Sequence, residues 1–222
     1  MLRAILCLAA LWTLAACATS PGAPITRHYP PAPYNTPPNG EIYASAPFAP
    51  LHSELMACNA YGSNLGALGE RGEALAYTPY LFTAAGALMR NPTERACLSS
   101  GFGWRNSMGG EGREHAGLDL ANPHGGFIYA AGDGWVSFAG WRGGYGNALE
   151  LDHGHGVRSF YAHMAELDPR LQQGMFVPAR APIGRMGRTG NATGVHLHYE
   201  VIVDGLRVDP LRYGVLEEAP IS

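Results

Sequence analysis

From residue 97 onward, apolar and polar positions alternate over short runs separated by glycine, as in "GGFIYAAGDGWVSFAGW" and "YGNALELDHGHGVRSFYAHM". A period of two, rich in β-branched and aromatic residues and cut repeatedly by Gly turns, predicts a mainly β domain. The run "TGVHLHYEV" (193–201) shows the pattern most clearly. Side chains alternate faces along a strand, so His196, His198 and Glu200 share one face while Leu197, Tyr199 and Val201 share the other. One face is apolar and the other carries ionisable groups.

Upstream the pattern weakens. Residues 51–96 read as an N-terminal extension. Its stretch "LHSELMACNAYGSNLGALGERGEAL" predicts one or two short helices broken by glycines, and "YTPYLFTAAGALM" fits a strand or a helix. This extension either packs against the following domain as a scaffold or crosses its groove as an inhibitory segment. Residues 18–50 hold nine of the seventeen prolines and almost no apolar periodicity. They predict a stiff tether, which at about 3.1 Å per residue in polyproline II reaches roughly 90–100 Å.

Before the tether, "MLRAILCLAALWTLAAC" places Arg3 ahead of an apolar run that is too short to span a bilayer and ends in small residues. That is the pattern of a secretory signal, residues 1–17. Its last four residues, Leu14-Ala15-Ala16-Cys17, resemble the lipobox of bacterial lipoproteins, in which the cysteine becomes the acylated first residue of the mature chain. By the same resemblance Ala18, where an aspartate would signal otherwise, points to the outer membrane of a Gram-negative cell, facing the periplasm. Cleavage and release is the competing reading.

The chain has 222 residues, and removing the first 50 or so leaves the size of one ordinary domain. A net charge of −3 supplies no basic field of the kind nucleic acid requires. Of four cysteines, Cys7 leaves with the signal and Cys17 takes lipid, so Cys58 and Cys97 remain. In an oxidising compartment they predict a disulfide, two free thiols being the alternative. No CxxC spacing supports a zinc ribbon or a redox motif.

The metal-capable residues of the β region are His115 and Asp119 in "HAGLD", His163 in "YAHM", and the pair His196 and His198. Two histidines and one aspartate would supply a catalytic zinc site with one position open to water, and the remaining histidines would handle protons. The segments "HAGLD", "YAAGDGWV", "GGYGNALELDHGHG", "YAHM", "IGRMGRTGNATGVHLHYEV" and "VDP" occur in the order found in the lysostaphin-like, or LytM, zinc peptidases, peptidase family M23, and the resemblance covers roughly residues 98–213.

That resemblance implies an antiparallel β-sandwich of the lysostaphin-like (duplicated hybrid motif) type over residues 97–215, short helices upstream, and a tail at 216–222. It implies Zn2+ held by His115, Asp119 and His198, with His163 and His196 as the catalytic pair. Relatives that only activate other hydrolases typically lack some ligands, whereas all five positions match here. The implied activity is a zinc-dependent endopeptidase cutting peptidoglycan stem-peptide cross-links, which for a Gram-negative wall means the bond between D-alanine and meso-diaminopimelate. The alternative is a non-hydrolytic zinc-binding scaffold that activates a cell-wall amidase. Implied partners are peptidoglycan, the membrane through the lipid, and an amidase or division-machinery protein.

Three further residues have two readings each. Glu200 either accepts a hydrogen bond from a ligand imidazole or forms an ordinary buried ion pair. Arg105 in "SGFGWR" either grips a substrate carboxylate or is structural. Tyr145 in "GGYGN" lines the groove or packs on its glycines. His153 and His155 read as structural or solvated residues of a hairpin turn.

Overall fold

The computed structural model describes residues 48–58, 74–105 and 112–215. The signal segment with Cys17, nearly all of the tether, and the tail from residue 216 lie outside them. The described residues form sixteen strands: β1 (Glu54–Leu55), β2 (Leu75–Ala76), β3 (Tyr80–Thr83), β4 (Gly86–Met89), β5 (Cys97–Ser100), β6 (Gly103–Arg105), β7 (Arg113–His115), β8 (Leu118–Ala121), β9 (Phe127–Tyr129), β10 (Gly134–Trp141), β11 (Asn147–Gly154), β12 (Val157–Leu167), β13 (Phe176–Val177), β14 (Pro182–Met186), β15 (His196–Val203) and β16 (Leu206–Val208). A single 3-10 turn, Gly143–Tyr145, is the one helical element among the described residues. The architecture is therefore mainly β and antiparallel, as the alternation predicts.

The large sheet runs β13-β10-β11-β12-β15-β8-β5, with β16 beside β15, and with β14 joining β12 to β9. Its central strands are long because their inward positions are uninterrupted apolar residues: Leu149 and Leu151 on β11, Tyr161 on β12, and Leu197, Tyr199 and Val201 on β15 are fully buried. The opposite face of the same strands carries a smaller cluster of Ala148, Phe160, Ala162 and Ile202. The chemistry-bearing side chains project from that second face.

Most of the stretch expected to hold short helices, residues 59–73, lies outside the described residues, and the described parts of the extension are strands. For residues 80–89, which fit a strand or a helix, the physical reason is tertiary. In the hairpin β3–β4, Leu81, Leu88 and Met89 enter the main core, so a pattern too short to choose helix or strand alone is decided by what it packs on. Arg90, also buried, donates to the carbonyls of Tyr80, Pro210 and Tyr213 and so ties this hairpin to the end of the domain. These residues are scaffold. Cys58 and Cys97 form a disulfide that joins the extension to edge strand β5. Closing a loop of this length stabilises by roughly 3–4 kcal/mol in the chain-entropy model.

Candidate active site

His115 ends β7 and Asp119 sits in β8, and only Ala116 and Gly117 separate the strands. A Cβ on Gly117 would stand 2.2 Å from the Tyr199 carbonyl oxygen, so glycine is what lets this connection lie against β15. The register then sets Asp119 directly opposite His198. Three donor atoms meet as a result: His115 Nε2 is 3.1 Å from Asp119 Oδ1 and 3.0 Å from His198 Nδ1, and the latter two are 2.9 Å apart. All three residues are buried.

The outer nitrogens fix what the inner ones offer. His115 Nδ1 lies 2.7 Å from the Gly101 carbonyl oxygen, which only accepts, so this nitrogen carries the proton and Nε2 turns a lone pair inward. His198 Nε2 lies 2.9 Å from Glu200 Oε1, and the same logic turns its Nδ1 inward. Two lone pairs and a carboxylate oxygen converge, an arrangement that calls for a positive charge among them. In the metal-free protein a proton answers in part: burial pushes His198 down, but its hydrogen bonds to Asp119 and Glu200 push it up further, above the ordinary histidine value. Burial likewise raises the Asp119 carboxyl, yet its close contacts with the His115 and His198 imidazoles outweigh it and hold the group well below the carboxylate range. Two oriented imidazoles with one carboxylate are a donor set that suits a divalent cation, which would bind by displacing protons.

The surrounding side chains orient this set. Asp119 Oδ2 accepts from Arg105 Nη2 at 2.6 Å, so the arginine is engaged with the cluster rather than free for a substrate carboxylate. Its Nε is buried with no partner among the described residues. Glu200 takes two partners: Oε1 accepts from His198, while Oε2 accepts from Arg207 Nε at 2.8 Å. Tyr145 packs against Phe160 beside the cluster. Its ring stands edge-on to Phe160 at 4.9 Å, 5.6 Å from the His198 ring, and its hydroxyl donates to Glu200 Oε1 at 3.1 Å.

His163 and His196 flank the cluster, with ring centroids 4.7 Å apart and His163 6.0 Å from His198. Each rests its Nδ1 on a backbone carbonyl, His163 on Thr189 at 2.8 Å and His196 on Gly194 at 3.0 Å, which leaves both Nε2 atoms able to accept a proton. Burial is the main cause that pushes the His163 pKa down, and His196 and His198 add to it, which favours the neutral ring.

Strict alternation would place His163 beside Tyr161 in the core. Instead its φ is +60°, the β12 pairing shifts register there, and Ala162 and His163 both reach the site face before Met164 returns to the core. A non-glycine residue in that region costs of order 1–3 kcal/mol. The alternation of the sequence carries no sign of this bulge, nor of the roles of Asn147 and Thr189 that support it. Both positions lie in segments that carry the family resemblance, "GGYGN" and "GRTGN", yet their local pattern is only that of a turn. His153 is buried, with Nδ1 against the Asp133 carbonyl and Nε2 against the Ser159 hydroxyl, and His155 is exposed in the turn.

With this geometry in place, the model of peptidase family M23 matches residues 113–210, the span that contains all five histidine and aspartate positions. Residues 113–210 are similar to peptidase family M23. The chain is 41% identical over 115 residues to the DD-carboxypeptidase/endopeptidase Mpg of Neisseria meningitidis serogroup B, covering 51% of this chain and 26% of that protein. It is 33% identical over 130 residues to the peptidoglycan DD-endopeptidase ShyC of Vibrio cholerae, covering 56% of this chain and 29% of that one. Among solved structures, a zinc-containing peptidase from Vibrio cholerae matches with a TM-score of 0.51 and 30% identity over 65% of this chain and 44% of that one. The chain thus spans little more than a quarter of the length of the curated relatives it matches. The M23 domain is the shared part, and M23 peptidases are metallopeptidases.

Proposed function

We propose that the protein is a zinc-dependent peptidoglycan endopeptidase that cuts stem-peptide cross-links between D-alanine and meso-diaminopimelate. The observation that carries this reading is the convergence of His115, Asp119 and His198 on one point, each imidazole locked by an outer acceptor, with two further imidazoles at its edge. The relatives named as DD-endopeptidases support the substrate class.

In this reading His115 Nε2, Asp119 Oδ1 and His198 Nδ1 hold zinc. When bound, zinc polarises the scissile carbonyl and lowers the pKa of a water toward about 7. The remaining work belongs to the chain. His163 and His196, each with Nδ1–H spent on a carbonyl, accept a proton at Nε2 and return it to the leaving amine. As imidazolium either ring also stabilises negative charge developing on the carbonyl oxygen. Arg105 orients Asp119, and Glu200 does the same for the His198 tautomer. The N-terminal sequence supports a lipoprotein: a signal at 1–17, lipid on Cys17, and a tether at 18–50 that holds the domain in the periplasm away from the outer membrane.

The test is digestion of purified Gram-negative peptidoglycan by the zinc-loaded full chain, with released muropeptides read by mass spectrometry beside a His198→Ala variant and a chelator. Conversion of cross-linked dimers to monomers, lost in both controls, is the expected result. An untouched wall under conditions where zinc is bound overturns the hydrolytic reading.

A further inference from the structure

The bulge that delivers His163 to the site is held by two side chains on other elements. Asn147, the first residue of β11, donates from Nδ2 to the Met164 carbonyl at 3.2 Å and to the Ala165 carbonyl at 3.1 Å. The Thr189 hydroxyl donates to the same Met164 carbonyl at 2.8 Å and accepts the Asn147 backbone N–H at 3.0 Å. The Thr189 carbonyl in turn receives His163 Nδ1–H at 2.8 Å. Asn147 has two amide hydrogens and Met164 O and Ala165 O are two acceptors, so the count closes without water.

Strand β12 changes partner at this spot. Residues Val157–Ala162 pair with β15, whereas Met164–Leu167 pair with β14. A ladder that switches neighbours leaves carbonyls out of register, and the side chains of Asn147 and Thr189 supply the donors that the ladder does not. The two loops involved are also mated closely. A Cβ on Gly146, whose φ is +67°, would lie 2.3 Å from Thr189 Oγ1, and Asn191 N donates to the Gly144 carbonyl at 2.7 Å. Tyr145 stands on one of these loops and the carbonyl that orients His163 on the other.

We propose that Asn147 and Thr189 are positioning residues that hold the left-handed backbone of His163 and fix its imidazole as the Nδ1–H tautomer with Nε2 facing the reacting carbonyl. This rests on the reading of His163 as a proton-transfer group. Neither side chain touches His115, Asp119 or His198 by any described hydrogen bond, so the clamp acts on proton transfer and leaves the metal ligands alone.

The test compares Asn147→Ala, Thr189→Val and Thr189→Ser in the full chain. Steady-state kinetics on a purified cross-linked muropeptide, zinc affinity by chelator competition, and 15N spectra of the His163 imidazole are measured for each. Misplacing a reacting group by about 1 Å costs on the order of 100-fold. Asn147→Ala and Thr189→Val are therefore expected to lower kcat by roughly 10- to 100-fold with KM and zinc affinity little changed, and the His163 signals shift from the single Nδ1–H form to a tautomer mixture. Thr189→Ser, which keeps the hydroxyl, restores kcat and the single tautomer.

Wild-type kcat with an unchanged tautomer in both Asn147→Ala and Thr189→Val overturns the proposal. So does a loss of zinc affinity in step with activity, which marks a merely structural role. If Asn147→Ala fails to fold, the Thr189→Val and Thr189→Ser pair carries the same comparison. If the wild type hydrolyses nothing, the proposed function fails, while the tautomer spectra still decide the clamp.

Discussion

Two faces of one sheet use histidine in opposite ways. On the core side His153 spends both nitrogens inside the protein, one against the Asp133 carbonyl and one against the Ser159 hydroxyl. On the site side His163, His196 and His198, joined by His115 from the separate β6–β7 pair, each spend one nitrogen on an outer acceptor and keep the other for the space between them. The energetic consequences also diverge. Burial dominates at His153 and lowers its pKa, whereas two buried carboxylates overcome burial at His198 and raise it. The difference teaches that a buried histidine here is structural when its hydrogen-bonding capacity is used up, and a candidate ligand or base when one nitrogen is left over.

The comparison breaks most sharply at His198. His198→Ala removes one of three donors, so zinc binding by chelator competition and muropeptide hydrolysis should both be lost, the rate falling by roughly 1,000-fold or more for the several kcal/mol that a metal contributes. His163→Ala should keep zinc affinity but lower kcat by about 100- to 10,000-fold, the range typical of a missing general base. Glu200→Gln, which weakens the acceptor on His198 Nε2, should reduce zinc affinity by about 10- to 100-fold, measured by the same competition.

His153→Ala strips the Asp133 carbonyl of its imidazole donor and leaves the Ser159 hydroxyl with Tyr161 alone, and should cost about 1–3 kcal/mol of folding stability in a denaturant titration, with zinc affinity unchanged. A loss of zinc affinity in His153→Ala would erase the distinction between the two faces.

The smallest effect is on pH dependence. A histidine whose folded pKa lies below its unfolded value of about 6.5 takes up a proton in the unfolded chain first. The stability that His153 contributes is therefore present above about pH 6.5 and is lost as pH falls toward its lowered folded value. His198 in the metal-free protein has the opposite sign: its contribution is full below about pH 6.5 and is lost as pH rises through the raised folded value. Denaturant titrations of metal-free protein across this range should show the acid-side loss flattened in His153→Ala alone.

Much of this site is legible in the chain itself. The alternation in "HLHYEV" separates His196, His198 and Glu200 from Leu197, Tyr199 and Val201, because the two-residue period of a strand is a local property that needs no partner. The four-residue spacing of "HAGLD", with a glycine before the second strand, likewise carries His115 and Asp119 as a unit. Other features were decided only in the tertiary structure. Residues 80–89 are too short a pattern to choose strand over helix until Leu81, Leu88 and Met89 meet the core. Arg105 is aimed at Asp119 by a contact across the fold, not by its own segment.

His163 is the clearest case. Local periodicity assigns it to the core, and only the partner switch of β12, with donors from Asn147 and Thr189 on distant elements, turns it to the site. The identities of the chemical groups, and the faces they take where a strand stays regular, follow from the sequence. Where the ladder breaks, the direction of a side chain depends on hydrogen bonds between residues far apart in the chain, and no local pattern records those.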